Sequence, residues 1–151
     1  MALPKIGYPT YELELPSTGK NIKYRPFLVK EEKVLLLALE SKDEKQVISA
    51  VKDLIKNCVI SRIKVDTLPS FDLEYLFLKI RGASIGETIT LTVTCLDDNE
   101  TTVEANININ EVEVLKPEGH NKKIMFDDTT GIVMRYPSMK EFVDREFLQK
   151  E

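Results

Sequence analysis

The stretch that determines the fold reads Phe71-Asp-Leu-Glu-Tyr-Leu-Phe-Leu-Lys-Ile-Arg-Gly-Ala-Ser-Ile-Gly86 and continues after Glu87 as Thr88-Ile-Thr-Leu-Thr-Val-Thr-Cys-Leu96. In its first part, apolar residues cover much of a helix circumference, which predicts a helix buried on more than one side. In its second part, β-branched residues alternate, which predicts a strand. The change of period indicates an α+β protein rather than a parallel βαβ fold.

The boundaries of this third helix carry their own local signals. Ser70 is expected to be its N-cap, and Lys79 and Arg81 lie near its predicted C-terminal end, followed by Gly82. We expect Arg81 to hold the junction between helix and sheet, where a buried guanidinium would need carboxylate or carbonyl partners. Gly82 and Gly86 would supply permissive backbone there.

The chain before this stretch predicts a β-hairpin and two further helices. Alternating residues at 11–15 and 21–24 flank a turn that contains glycine, which is typical of a hairpin. Residues 30–40 are rich in strong helix formers. A second helix, capped by Ser41 or Asp43, has apolar residues at spacings of three and four. Its predicted core face consists of Val47, Val51, Leu54, Ile55 and Cys58.

The chain after this stretch predicts more antiparallel sheet and a last helix. Residues 102–110 alternate like residues 88–96, with a turn at 97–100 between them, and residues 111–115 are expected to extend the sheet. Residues 123–126 and 131–135 predict another hairpin. The expected terminal amphipathic helix places four apolar residues on one stripe. These are Met139, Phe142, Val143 and Phe147.

Together these elements predict a fold with an N-terminal β-hairpin, a three-helix segment, a small antiparallel sheet and a C-terminal amphipathic helix. With 151 residues, the chain is expected to form a single domain over 1–151. The alternative is a division into two lobes, 1–83 with the hairpin and helices and 84–151 with the sheet and terminal helix.

Composition and charge narrow the class of function. Acidic residues outnumber basic ones by 25 to 21, for a formal charge of −4, which disfavours binding to phosphate backbones unless the lysines cluster. The sequence contains no apolar run near the ~20 residues that span a bilayer and no signal-peptide segment at its start, so we expect no membrane role. Cys58 and Cys95 are far apart and are expected to be free thiols in a reducing compartment.

Three segments carry a resemblance to a known family. They are Leu15-Pro-Ser-Thr-Gly-Lys20, Tyr24-Arg-Pro-Phe-Leu-Val-Lys-Glu-Glu-Lys33, and the stretch from Phe71 to Gly86. In these sequence motifs and in their order along the chain, up to about residue 137, the chain resembles the baseplate hub subunit and hub assembly proteins of T4-like bacteriophages. The resemblance implies a non-enzymatic tail protein that contacts other baseplate hub or tail proteins. It places the protein in the cytoplasm of the infected host during assembly. It leaves open whether the protein stays in the virion tail, whether it associates with itself, and whether the natural chain continues beyond Glu151.

On this reading the candidate residues make contacts rather than carry out chemistry. They are Tyr24, Arg25, Phe27, Phe71, Tyr75, Phe77, Arg81, Phe142 and Phe147. We expect no catalytic residue, no cofactor and no metal. The lone His120 lies in a polar turn without the further ligands that zinc needs, and the acidic residues beside Cys95 lack the spacing of a calcium loop.

Two other classes of function remain as alternatives. A small nucleic-acid-binding module would require the Lys and Arg residues to gather on one surface despite the acidic total. An unrecognised hydrolase would require a nucleophile and a base in one cleft, and the single histidine makes it the weaker alternative.

Overall fold

The computed structural model describes residues 7–138 and Glu141. These residues form strands β1 (Tyr11–Glu14) and β2 (Asn21–Tyr24), helices α1 (Val29–Glu40), α2 (Glu44–Cys58) and α3 (Ser70–Ile85), and strands β3 (Thr88–Thr94), β4 (Thr102–Asn108), β5 (Lys123–Met125) and β6 (Gly131–Val133). The order confirms the α+β prediction, with the predicted hairpins and three helices. The predicted terminal helix, with Phe142 and Phe147, lies outside the described residues except for Glu141.

The strands form three separate two-stranded antiparallel sheets, β1–β2, β3–β4 and β5–β6. The expectation of one sheet after residue 88 is therefore wrong for the described part of the chain, as is its extension through residues 111–115. The reason lies at Ile109, which is buried against α3 in a short 3-10 turn, Ile109–Glu111. The Lys79 ammonium donates to the carbonyl oxygens of Ile109 and Asn110 at 3.1 and 3.2 Å, which turns the chain away from the strand direction.

The hydrophobic core lies between the β1–β2 hairpin and the helices α2 and α3. Its buried members are Leu15, Ile22, Tyr24, Leu54, Ile55, Cys58, Val65, Leu68, Leu73, Leu76 and Ile80. The predicted core face of α2 is confirmed for Leu54, Ile55 and Cys58, while Val51 packs against the core only in part. The buried residues of α3, which are Asp72, Leu73, Leu76 and Ile80, lie on one face of the helix, whereas apolar residues on its other sides, such as Phe71 and Leu78, are only partly buried.

The helix ends agree with the sequence in one case and differ in two. The Asp43 carboxylate caps α2 by accepting from the backbone N–H of Lys45 at 3.0 Å. Ser70 is not the N-cap of α3, because Pro69 takes that position and its carbonyl accepts from Leu73 N–H. Helix α3 also continues past Gly82, which packs against Ile109, to Ile85, and it ends at Gly86 with φ 144°.

The outer edge of β2 is covered by the segment that follows α2. The Lys23 carbonyl accepts from Ile60 N–H at 2.8 Å, and the Arg25 N–H donates to the Cys58 carbonyl at 2.9 Å. The Lys23 N–H donates to Ser61 Oγ at 2.8 Å. The backbone groups along this edge are therefore satisfied within the chain.

Candidate functional site

Tyr24, the first of the predicted contact residues, belongs to the core. Its side chain is buried, and its ring stacks on Tyr11 with the centroids 5.6 Å apart. Burial, with smaller contributions from Tyr11 and Tyr75, raises the pKa of the Tyr24 hydroxyl. Tyr24 thus fixes the β1–β2 hairpin to the core and offers little surface to another molecule.

Arg25 forms a buried ion pair with Glu31 at the start of α1. The guanidinium Nη2 donates to Glu31 Oε1 at 3.0 Å, and the Leu28 N–H donates to the other carboxylate oxygen at 2.6 Å. Burial alone would raise the pKa of Glu31. The hydrogen bonds from Arg25 and Leu28, together with the positive charges of Arg25 and Lys30, outweigh that effect and lower it. The pair therefore joins the end of β2 to the first turn of α1.

Phe27 lies at the other side of the same segment. Its N–H donates to Ser84 Oγ at 2.9 Å, and its ring packs partly against the core. Ser84 in turn donates to the Ile80 carbonyl at 2.6 Å. The segment after β2 is therefore tied to the last turns of α3.

Arg81 is half-buried near the end of α3. Its Nη1 atom is buried without a hydrogen-bond partner within residues 7–138 and Glu141. The carboxylate or carbonyl partners expected for a buried guanidinium are thus missing for this nitrogen, which leaves an uncompensated cost of desolvation.

A contact between Ser17 and Asp72 was not foreseen from the sequence. Asp72, in the first turn of α3, is fully buried, and its carboxylate accepts from the Ser17 N–H at 3.0 Å and from the Ser17 hydroxyl. This contact joins the β1–β2 turn to α3. The pairs Ser17–Asp72 and Phe27–Ser84 connect the three segments that carry the family resemblance, so those segments hold the fold together.

The aromatic residues of α3 occupy different surroundings. Phe71 meets Tyr136 edge to face, with centroids 4.9 Å apart, and Tyr136 stacks on His120. Phe71 also lines a groove of about 200 Å³ with Val114, Leu115, Lys116, Pro117, His120 and Tyr136. Tyr75 lies under the Lys79 ammonium, 5.0 Å from the ring centroid, and Phe77 packs against the core. Of these aromatic residues, Phe71 therefore lines a surface groove, while Tyr75 and Phe77 have contacts within the chain.

One face of the β3–β4 hairpin is a regular apolar surface. The register pairs Ile89 with Ile107, Leu91 with Ala105, and Val93 with Val103. Because alternate residues of a strand share a face, these six side chains form one surface, which we call the apolar hairpin face. Leu91, Val93, Val103 and Ile107 are 44%, 51%, 56% and 41% exposed. Within the described part of the molecule this face is left uncovered.

The opposite face of the same hairpin is polar. It consists of Thr88, Thr90, Thr92, Thr94, Thr102, Glu104, Asn106 and Asn108. The Thr90 hydroxyl donates to the Asn106 amide oxygen across the strands at 2.7 Å. The hairpin therefore has one face suited to water and one suited to burial.

Helix α1 and the β5–β6 hairpin also expose apolar side chains. In α1 these are Val29, Val34, Leu36, Leu37 and Leu39, each more than half exposed. In the second hairpin, Ile124 pairs with Ile132, and both are exposed beside Phe126 and Met134. Apolar surfaces of this extent on a folded subunit are typical of sites that bind other proteins.

The metal-ligating and nucleophilic side chains of the described residues lie apart or buried. Within residues 7–138 and Glu141, no group of three or more His, Cys, Asp or Glu residues could hold a metal ion. Cys58 is fully buried beside the core, and burial raises the pKa of its thiol to about 11, so little of it is thiolate at neutral pH. In the same residues, no helix has the length and apolar character needed to cross a membrane.

Comparison with known proteins identifies the family. The sequence profile of the family described as T4 bacteriophage base plate protein matches residues 8–151. No curated protein and no solved structure gives a significant match to the chain. The profile spans nearly all of the sequence, including the three segments whose contacts hold the fold together. The chain therefore belongs to the T4 bacteriophage base plate protein family.

Proposed function

We propose that this protein acts in the central hub of the phage baseplate, or in the assembly of that hub, through non-covalent contacts with other tail proteins and without catalysing a reaction. The observation that carries the proposal is the amount of ordered apolar surface left exposed on a folded chain. The apolar hairpin face, α1 and the β5–β6 hairpin together expose side chains that a monomeric protein would normally bury.

Burial of these surfaces against neighbouring subunits would supply the free energy of association. Removal of apolar area from water is the main favourable term in most protein associations, and polar residues at the rim set the register. The core of the protein, held by the Ser17–Asp72 and Arg25–Glu31 contacts, would present these surfaces on a stable support.

Co-expression of the full chain with the other tail proteins of the same phage, followed by size-exclusion chromatography, tests this function. We expect at least one hub component to elute together with the chain as a stable complex. Elution of every tail protein separately, together with normal baseplates in phage that lack this chain, would contradict the proposal.

Mass spectrometry of purified virions distinguishes the two forms of the proposal. A stoichiometric amount of the chain in disrupted particles identifies a subunit that stays in the baseplate. Its presence in infected cells but not in particles identifies a factor that leaves after the hub has assembled.

A further inference from the structure

The apolar hairpin face needs a covering layer. Its two strands have seven residues each, so the face is roughly 24 Å long. A two-stranded sheet that packs against nothing is at most marginally stable in water, whereas a covered sheet is stable. The most exposed opposite pair, Val93 and Val103, lies toward the tip of the hairpin, farther from the core than Ile89 and Ile107.

The chain segment that forms and flanks this hairpin carries charge of a single sign. The chain from Gly82 to Leu115 contains seven Asp and Glu residues and no Lys, Arg or His, although the whole protein carries only −4. The acidic residues flank both ends of the hairpin, with Glu87 at its base and Asp97, Asp98 and Glu100 at its tip. An apolar face with acidic residues at both ends matches a partner whose rim is positive.

The acidic tip is built to remain ionised. The Asp98 carboxylate accepts from the Thr101 hydroxyl and from the N–H groups of Thr101 and Glu100, at 3.0 and 3.1 Å for the two N–H groups. These hydrogen bonds lower the pKa of Asp98 to about 2. Asp98 therefore keeps its negative charge throughout the pH range in which proteins normally assemble.

We propose that the apolar hairpin face binds another phage tail protein through a surface that is apolar at its centre and rich in Lys and Arg at its rim. This inference rests on the proposed function and specifies the surface and the chemistry of the partner. A second copy of this chain is a poor occupant, because two such faces would bring together the acidic groups at the ends of both hairpins, Glu87, Asp97, Asp98 and Glu100 in each copy. Anionic lipid surfaces and nucleic acids are repelled for the same reason.

Cys95 provides a native reporter for this surface. It lies two residues after Val93 and continues the same alternation, and its N–H bonds to the Thr101 carbonyl at 2.8 Å. Cys58, the other cysteine, is 0% exposed. Alkylation of the folded chain with N-ethylmaleimide therefore reports on Cys95, and a partner on the apolar hairpin face should slow this reaction at least about tenfold.

The experiment uses the full chain and the purified tail proteins of the same phage, tested one at a time, with poly-L-lysine as a probe of charge alone. The test variant Val93→Thr/Val103→Thr keeps side-chain shape and β-branching but makes the pair polar. We expect it to bind the partner about tenfold more weakly or worse. The control Thr94→Val/Thr102→Val makes the reverse exchange on the polar face of the same strands, and it should bind as the unmodified chain does.

A second pair of variants tests the charge. Glu87→Gln/Asp97→Asn/Glu100→Gln removes three acidic groups from the ends of the hairpin and leaves the Asp98 turn intact. At 50 mM NaCl it should lose about tenfold in affinity, with a smaller loss at 300 mM because salt screens exposed charges. The control Glu40→Gln/Glu74→Gln/Glu118→Gln removes the same charge elsewhere and should change affinity less than threefold. Circular dichroism checks that all four variants are folded.

The outcomes separate this inference from the proposed function. If no tail protein binds the unmodified chain, the inference fails, and the proposed function fails with it when phage lacking the chain also build normal baseplates. If a tail protein binds but the valine or charge variants bind it equally well, or Cys95 is not protected, only the inference is overturned. A dimer of the chain that the valine variant abolishes would also overturn it. The inference would also be overturned if no tail protein shows the expected pattern and poly-L-lysine binds the unmodified chain and the valine variant equally well.

Discussion

Replacement of Asp72 by alanine should destabilise the protein more than most single substitutions. The Asp72 carboxylate is fully buried and accepts hydrogen bonds from the N–H and the hydroxyl of Ser17, which is 55 residues away in the sequence. Its position in the first turn of α3 also places its charge at the positive end of the helix dipole. Alanine removes all three interactions and leaves the Ser17 donors without their acceptor.

The size of the effect follows from these contacts. A hydrogen bond to a charged group contributes about 1.5–3 kcal/mol, and a buried donor left unsatisfied costs about 1–3 kcal/mol. Because these terms overlap, we expect Asp72→Ala to lower the free energy of unfolding by about 3–4 kcal/mol. For a chain of this size that corresponds to a fall in Tm on the order of 10 °C.

Urea denaturation followed by circular dichroism measures this change, since the chain contains no tryptophan to serve as a fluorescent probe. Glu74→Ala is the matched control, because Glu74 lies two residues further along α3 and is exposed. It should change the free energy of unfolding by less than about 0.5 kcal/mol. Ser17→Ala and the double variant complete a thermodynamic cycle for the contact.

A cost below about 1 kcal/mol for Asp72→Ala would contradict this prediction. So would additivity of Ser17→Ala and Asp72→Ala within about 0.5 kcal/mol, because residues in direct contact should be coupled. In either case the Ser17–Asp72 contact would contribute little to holding the β1–β2 turn against α3.

Three further predictions concern other contacts. Folding lowers the pKa of Glu31, so its contribution to stability is complete above the unfolded pKa of about 4.3 and is lost as pH falls through the lower folded pKa. Glu31→Gln should therefore flatten this part of a profile of the free energy of unfolding against pH. At pH 8, Ellman's reagent should titrate one thiol, Cys95, in the folded chain and a second, Cys58, only in denaturant. Thermal unfolding should show that Gly86→Ala lowers the free energy of unfolding by about 1 kcal/mol or more, because φ is 144°. Gly82→Ala, whose Cβ would lie an ordinary 3.6 Å from Ile109, should be neutral or stabilising.

The elements that the sequence predicted correctly are those with a strong local period. Strand β3 and its partner β4 alternate over seven residues each, and α2 repeats its apolar residues at spacings of three and four, so each could be recognised from its own residues. The α+β class followed from these local patterns. The cap at Asp43 is local as well, because its acceptor and donor are two residues apart.

The features that the sequence did not predict depend on distant partners. The end of the sheet at Ile109 is determined by burial against α3 and by the bonds from Lys79, 30 residues earlier in the chain. The missed Ser17–Asp72 contact joins residues with no periodic relation, and the failure of Ser70 as a cap depends on how Pro69 enters the helix. Exposure is likewise a tertiary property, so Tyr24 could not be distinguished from Val93 by residue type alone.

The covered edge of β2 has a consequence for how sheets of this protein can grow. Because Ile60, Ser61 and Cys58 already satisfy the backbone groups on that side, a foreign strand cannot add there without displacing part of the chain. The β3–β4 and β5–β6 sheets are two-stranded, and in the described residues no further strand joins either one. Strand addition by a neighbouring subunit is therefore blocked on the β2 side of the first hairpin, which directs sheet growth to the other strand edges of the molecule.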